Sequence, residues 1–162
     1  MQRTTQLLPL LLVLAACASP TAGPGPAQTD NIGHEAVDAR SLAARHWRLA
    51  DATEAGGQRI DALFPDAAKP LRFEFADGRI AISGGCNRLS AAYTLEGGRL
   101  SVGPVAQTKM FCGGGALMAA DDAIVAQLAR PHSVSMDGNR LVLASADGER
   151  LVFDGEAIPA TP

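Results

Sequence analysis

Three cysteines supply the most reactive side chains of this 162-residue chain. Cys17 follows an apolar stretch near the start, whereas Cys86 and Cys112 lie in the second half of the chain. A thiol can accept a lipid, form a disulfide, bind a metal or act as a nucleophile. Three cysteines and three histidines are too few for a multi-ligand zinc site of the usual spacing. The sequence therefore predicts neither a metal nor a cofactor.

The first sixteen residues have the pattern of a secretory signal peptide. Arg3 supplies a positive charge, residues 7–14 are apolar, and two alanines precede Cys17. The sequence Leu-Ala-Ala-Cys that ends at Cys17 resembles the lipobox of bacterial lipoproteins, in which the cysteine is lipidated and becomes the first residue of the mature chain. The resemblance implies that acyl chains, such as palmitate, on Cys17 anchor the protein in a membrane. The alternative is an ordinary signal peptide followed by an incidental cysteine.

The residues that follow Cys17 indicate a location and a tether. Ala18 stands where an aspartate often retains lipoproteins in the inner membrane. By that analogy we expect an outer-membrane lipoprotein that faces the periplasm. Residues 17–40 contain several prolines and no apolar periodicity, so they are expected to form a tether with a reach on the order of 25 Å.

Residues 41–156 are expected to form the folded domain, and residues 157–162 a C-terminal tail. Short alternating runs separated by turn residues predict an antiparallel β meander here. Leu71, Phe73 and Phe75, for example, share one face of a strand, and Asp77-Gly78 predicts the hairpin turn that follows.

One segment, residues 117–130, has the pattern of a helix instead. Apolar residues recur along one stripe of it, and Pro131 is expected to end it. Asp121 and Gln127 are expected on the side that faces water. The predicted fold class is therefore α+β, an antiparallel β meander (a sheet or a partly closed barrel) with one helix packed against it.

A set of motif residues recurs in order along this domain. It comprises a tryptophan, a Gly-Cys-Asn turn, a tyrosine and a Thr-x-Met-x-Cys segment, namely Trp47, Gly85, Cys86, Asn87, Tyr93, Thr108, Met110 and Cys112. These residues, in this order, resemble the motif of the META domain family, which includes the heat-shock protein HslJ. The resemblance implies an envelope or stress-associated protein with no established enzymatic activity, and it brings no catalytic residues.

Two cysteines remain once Cys17 carries lipid. An exported, oxidising compartment and an even number of thiols favour a disulfide between Cys86 and Cys112. The alternatives are two buried free thiols or a nucleophile, which would need a base such as His46 or His132 close by.

Several other side chains receive structural interpretations. Asn87 is expected to form hydrogen bonds to the backbone within a turn rather than to contact a ligand. Trp47, Tyr93 and Phe111 are expected to belong to the core.

The anchor and the lack of a catalytic arrangement favour a tethered, non-enzymatic protein, and the family resemblance implies its role in the envelope or in stress. We expect a non-enzymatic envelope lipoprotein that contributes to envelope maintenance or to stress and antibiotic tolerance by binding an envelope protein. The alternative is a periplasmic inhibitor or ligand-binding module, with loop 84–88 or loop 111–115 inserted into the cleft of a partner. The net charge of −3 and the scattered arginines exclude a basic face for nucleic acid.

Overall fold

The computed structural model describes residues 37–159. The predicted signal peptide, Cys17 and most of the predicted tether lie outside these residues. The described elements, in chain order, are α1 (Ala39–Ala43), β1 (His46–Thr53), a 3-10 turn (Asp61–Leu63), β2 (Arg72–Ala76), β3 (Arg79–Ser83), β4 (Leu89–Glu96), β5 (Arg99–Val102), β6 (Ala106–Gln107), α2 (Ala116–Leu128), β7 (His132–Asp137), β8 (Arg140–Ser145) and β9 (Arg150–Glu156).

Eight of the strands form a closed antiparallel barrel. Neighbours along the chain pair with one another from β1 to β5 and from β7 to β9. The β5–β7 and β9–β1 pairings complete the circle, and the two-residue strand β6 adds to the edge of β4. The predicted fold class, α+β with a partly closed barrel and one main helix, is confirmed.

Alternate residues along each strand point inward, and their side chains fill the interior of the barrel. Trp47, Phe73 and Phe153 are fully buried, and the rings of Phe73 and Phe153 lie with their centroids 4.6 Å apart. The predicted Asp77-Gly78 turn is present, with φ values of 48° and 71° that suit a tight hairpin. The alternation in the sequence thus identifies the buried faces of these strands correctly.

A short helix closes the end of the barrel at which β1 begins. Asp38 caps helix α1 by accepting a hydrogen bond of 2.7 Å from the backbone N–H of Ser41. Leu42 is fully buried, and its carbonyl accepts a hydrogen bond of 2.8 Å from Nε1 of Trp47. The indole therefore finds a partner for its polar atom inside the core.

Helix α2 lies at the opposite end of the barrel, because it leads into β7 at the end where β1 finishes. It spans Ala116–Leu128, close to the predicted residues 117–130. The predicted apolar stripe consists of Leu117, Ala120, Ile124 and Leu128; the last three are buried as expected, and Leu117 is partly exposed. Within residues 37–159, no helix is long and apolar enough to cross a membrane.

Two predictions about the polar side of α2 are wrong. Asp121 is only 2% exposed and Gln127 only 7%, although both were expected to face water. Asp121, Ile124 and Leu128 follow one another at spacings of three and four residues, so they share one helix face. Position on the helix, rather than residue type, therefore decides which side chains are buried here.

Candidate functional site

Most of the motif residues meet at the end of the barrel that carries α2. Cys86 and Cys112 form a disulfide, with their Cα atoms 5.8 Å apart. The bond joins the connection between β3 and β4 to the segment between β6 and α2. Both thiols are consumed by this bond, and neither is available as a nucleophile.

Asn87 connects three separate segments at this end. It is only 9% exposed, and its backbone N–H and its Nδ2 donate hydrogen bonds of 2.9 and 2.8 Å to Oδ2 of Asp121. Its Oδ1 accepts hydrogen bonds from the backbone N–H of Met110 (2.8 Å) and from the hydroxyl of Thr108 (3.0 Å). The side chain of Asn87 thus bonds to the backbone of a distant segment rather than within its own turn, and no local pattern indicates its partner on α2.

The glycines before Cys86 are explained by close packing. A Cβ atom on Gly85 would lie 1.9 Å from Oδ1 of Asp121, and one on Gly84 would lie 2.4 Å from the carbonyl oxygen of Pro70. Gly84 also has a φ of 102°, which residues with side chains rarely adopt. The two glycines of the Gly-Gly-Cys-Asn sequence therefore allow the backbone to pack closely around the buried side chain of Asp121 on α2.

The segment that crosses this network exposes large apolar side chains to water. We call residues 109–112 the apolar loop. Phe111 is 87% exposed, Met110 is 59% exposed, and Met118 on α2 is 38% exposed. The prediction that Phe111 belongs to the core is wrong, because the backbone of Met110 is held by Asn87 and Cys112 by its disulfide.

The two aromatic residues of the motif, Trp47 and Tyr93, lie elsewhere in the barrel. Trp47 belongs to the core beneath α1. Tyr93 is partly buried, with its ring edge-on to Phe75 at a centroid distance of 5.2 Å, and burial raises the pKa of its hydroxyl. Their role is packing.

The sequence that forms the barrel, α2 and the motif network matches one family model. The model of the META domain matches residues 40–158. The chain belongs to the META domain family. The motif that identifies this META domain is thus largely a structural device, which fastens α2 and the apolar loop to the barrel.

Three solved structures resemble this META domain. An NMR structure of a protein from Burkholderia xenovorans has 21% sequence identity and a TM-score of 0.64, covering 89% of this chain and 99% of that one. A second NMR structure has 25% identity and a TM-score of 0.53, covering 73% of this chain and 94% of that one. A crystal structure of a DUF4847 family protein from Bacteroides vulgatus has 16% identity and a TM-score of 0.51, covering 74% and 98%. These likenesses support the fold alone, and no curated protein sequence matches the chain.

The histidines of the META domain are not arranged around a reactive group. His132 is 1% exposed, and neither of its ring nitrogens has a hydrogen-bond partner within residues 37–159. His46 lies at the start of β1, at the opposite end of the barrel from the disulfide. Residues 37–159 contain no group of three or more His, Cys, Asp or Glu side chains that could hold a metal ion.

The buried imidazole of His132 is expected to make stability depend on pH. Burial lowers the pKa of His132 below its usual value of about 6.5, since a charged ring would lose its hydration there. The unfolded chain therefore binds a proton more readily, and the free energy of unfolding falls as the pH drops below about 6.5. From pH 7 to pH 5 this one group contributes a loss of up to about 2 kcal/mol.

Urea unfolding at several pH values measures this loss. The His132→Leu variant should lose this part of the pH dependence, because no titrating group remains at the position. Coincident slopes of stability against pH for the two proteins would show that His132 does not cause it.

Proposed function

We propose that this chain is an exported lipoprotein whose META domain binds another protein through the apolar loop, without a catalytic step. The observation that carries the proposal is Phe111. Its ring is 87% exposed, while the residues on both sides of it are held by a disulfide and by a hydrogen bond to Asn87. A large apolar side chain fixed in this manner is typical of a binding surface.

The energetics of the loop favour binding. Burial of a phenylalanine side chain contributes about 1.5–3 kcal/mol, and aromatic anchors often dominate protein interfaces. The disulfide and the Asn87 network hold the loop backbone in place before a partner arrives. Less conformational entropy is then lost on binding than for a free loop.

The proposed anchor is Cys17, which precedes the folded domain in the sequence. The lipobox resemblance at Cys17 supports acylation, and Ala18 supports an outer-membrane, periplasm-facing location. The chain enters the barrel through α1, and β1, with eight residues, is about 26 Å long. Because strands of a closed barrel tilt by about 35–45°, the two ends of the barrel are about 20 Å apart along its axis. The apolar loop therefore lies at the end of the barrel opposite to α1.

The chemistry of the described residues supports a non-enzymatic role, and the family resemblance suggests envelope maintenance or stress and antibiotic tolerance as its setting. An active site needs a nucleophile or base that the substrate can reach. Cys86 and Cys112 are bonded to one another, and His132 is enclosed in the core. What this end of the domain offers a partner is an apolar surface.

Crosslinking in cells that make the full chain tests the proposal. A photo-crosslinking phenylalanine derivative in place of Phe111 should give a discrete adduct with one envelope protein. The same derivative in place of Ser135, which is exposed on β7, is the matched control and should not. The partner identified from the adduct is then purified, and Phe111→Ser should weaken its affinity for the META domain about tenfold or more.

Two results would overturn the proposal. The first is equal crosslinking at both positions, and the second is an unchanged affinity in the Phe111→Ser variant. A fatty-acid analogue added to the same cells tests the anchor separately, since label should be incorporated by the unaltered chain and not by Cys17→Ser. Label that persists in this variant would exclude Cys17 as the acylated residue.

The alternative of a periplasmic inhibitor uses the same loop. A braced aromatic side chain also suits insertion into the active-site cleft of a hydrolase. If the crosslinked partner is an enzyme, its activity distinguishes the two roles. A decrease that disappears with Phe111→Ser would indicate inhibition, whereas unchanged activity would indicate binding alone.

A further inference from the structure

An open groove crosses the outer face of the barrel over β2, β3, β4 and β6. Its volume is about 610 Å³. The floor follows one row of paired residues across the four strands, Glu74, Ala81, Ser90 and Ala106. Three of these side chains are small, so the surface is depressed here between the longer side chains that flank it.

Two opposite charges line the groove without neutralising each other. Glu74 begins the row on β2, and Arg88 stands two residues before Ser90, just ahead of β4. Within residues 37–159 neither side chain takes part in an ion pair. Arg88 lies two strands away from Glu74 across the sheet, at about 4.8 Å per strand, and two residues away along the strand, at about 3.3 Å per residue. The Cα atoms of the two residues are therefore about 12 Å apart.

The space between the two charged side chains is lined by polar residues, and hydrogen bonds fix the backbone of Arg88 at one end of it. Ser83 and Gln107 line the groove together with the floor residues. The backbone N–H of Arg88 donates a hydrogen bond of 3.1 Å to the hydroxyl of Thr108, and the backbone N–H of Thr108 donates one of 3.1 Å to the carbonyl of Arg88. The backbone of Arg88 is thus fixed, while its guanidinium group remains free of ion pairs among the described residues.

We propose that this groove binds a short peptide by both of its free ends. Arg88 receives the terminal carboxylate, since a guanidinium group can donate two parallel hydrogen bonds to a carboxylate. Glu74 receives the terminal ammonium group. Extended residues span about 3.3–3.6 Å each, so two or three of them fill the distance between the two charged side chains.

The floor also limits which peptides fit. Ala81, Ser90 and Ala106 leave room for the backbone and for small side chains, and the groove contains no aromatic residue. Peptides of alanine and glycine therefore match it best. The site is distinct from Phe111 and does not depend on the function proposed above.

NMR titration of residues 17–162 carrying Cys17→Ser tests the proposal, with trialanine as the probe. Trialanine should cause saturable shifts of the backbone amides of Ala81, Ser90 and Ala106. Its carboxy-terminal amide and its N-acetyl derivative should each bind about tenfold more weakly or worse, because each lacks one charged end.

Matched variants assign each end of the peptide to one side chain. Arg88→Gln should bind trialanine and its amide equally weakly and still discriminate against the N-acetyl form. Glu74→Gln should bind trialanine and its N-acetyl derivative equally weakly, and it should still discriminate against the amide. Ala81→Leu fills the floor and should abolish binding with both charges in place, whereas Arg150→Gln, an exposed arginine on β9, should bind normally.

Three outcomes would overturn the proposal. One is the absence of saturable shifts up to about 10 mM peptide. Another is equal affinity of the unaltered protein for free and blocked trialanine. The third is an Arg88→Gln variant that still distinguishes the free carboxylate from the amide.

Discussion

Replacement of Asp121 by alanine is expected to lower the free energy of unfolding by about 3 kcal/mol. Oδ2 of Asp121 accepts two hydrogen bonds from Asn87, one from the backbone and one from the side chain. The variant leaves both donors buried without a partner, at a cost of about 1–3 kcal/mol each. Part of this cost is offset, because Oδ1 of Asp121 has no hydrogen-bond partner within residues 37–159 and its removal relieves a buried polar atom.

The neighbouring acid provides a matched control for this measurement. Asp122 lies on the same helix turn and is exposed. Asp122→Ala changes the charge and the helix propensity in the same way as Asp121→Ala. It should nevertheless alter the free energy of unfolding by only about 0.5 kcal/mol or less. Urea unfolding of both variants makes the comparison, and equal losses would mean that the Asn87 network does not stabilise the domain.

The same variant bears on the proposed function. Asn87 holds Met110 through a hydrogen bond of 2.8 Å, so a mobile Asn87 also releases the apolar loop. Reduced order at Phe111 in Asp121→Ala would connect the motif to the presentation of this side chain. The network then has two roles, one in stability and one in the geometry of the surface.

The residues misassigned from the sequence share one cause. An aromatic side chain such as Phe111 predicts a core position, and polar side chains such as Asp121 and Gln127 predict a surface position. The structure reverses all three. Residue type misleads at these positions: Asp121 is buried because it shares a helix face with Ile124 and Leu128, and Phe111 is exposed because distant contacts, the disulfide and the Asn87 hydrogen bond, hold its loop.

The strands were predictable for the opposite reason. Their buried faces follow from alternation within four to eight residues, and the Asp77-Gly78 turn is a local signal. Closure of the barrel depends instead on the pairing of Leu100 with His132 across the whole of α2. A pairing over this separation leaves no local pattern, and the sequence alone therefore left open whether the sheet closes.

Leu128→Ala is expected to lower the free energy of unfolding by about 2–5 kcal/mol. Leu128 is 1% exposed at the end of α2 and packs, with Ile124, against the interior of the barrel. The substitution removes apolar contacts and leaves a cavity that the closed barrel cannot easily collapse around, because its strands are hydrogen-bonded on both sides.

The control for Leu128 must come from a different face of the helix. Gln127 is unsuitable because it is 7% exposed, whereas Met118 is 38% exposed. Met118→Ala should therefore cost well under half as much as Leu128→Ala in the same urea experiment. Equal losses would mean that α2 does not seal the barrel through the face that bears Leu128. A large loss for Leu128→Ala alone would establish that this end of the barrel is closed by α2, the helix that the Asn87 network ties to the apolar loop.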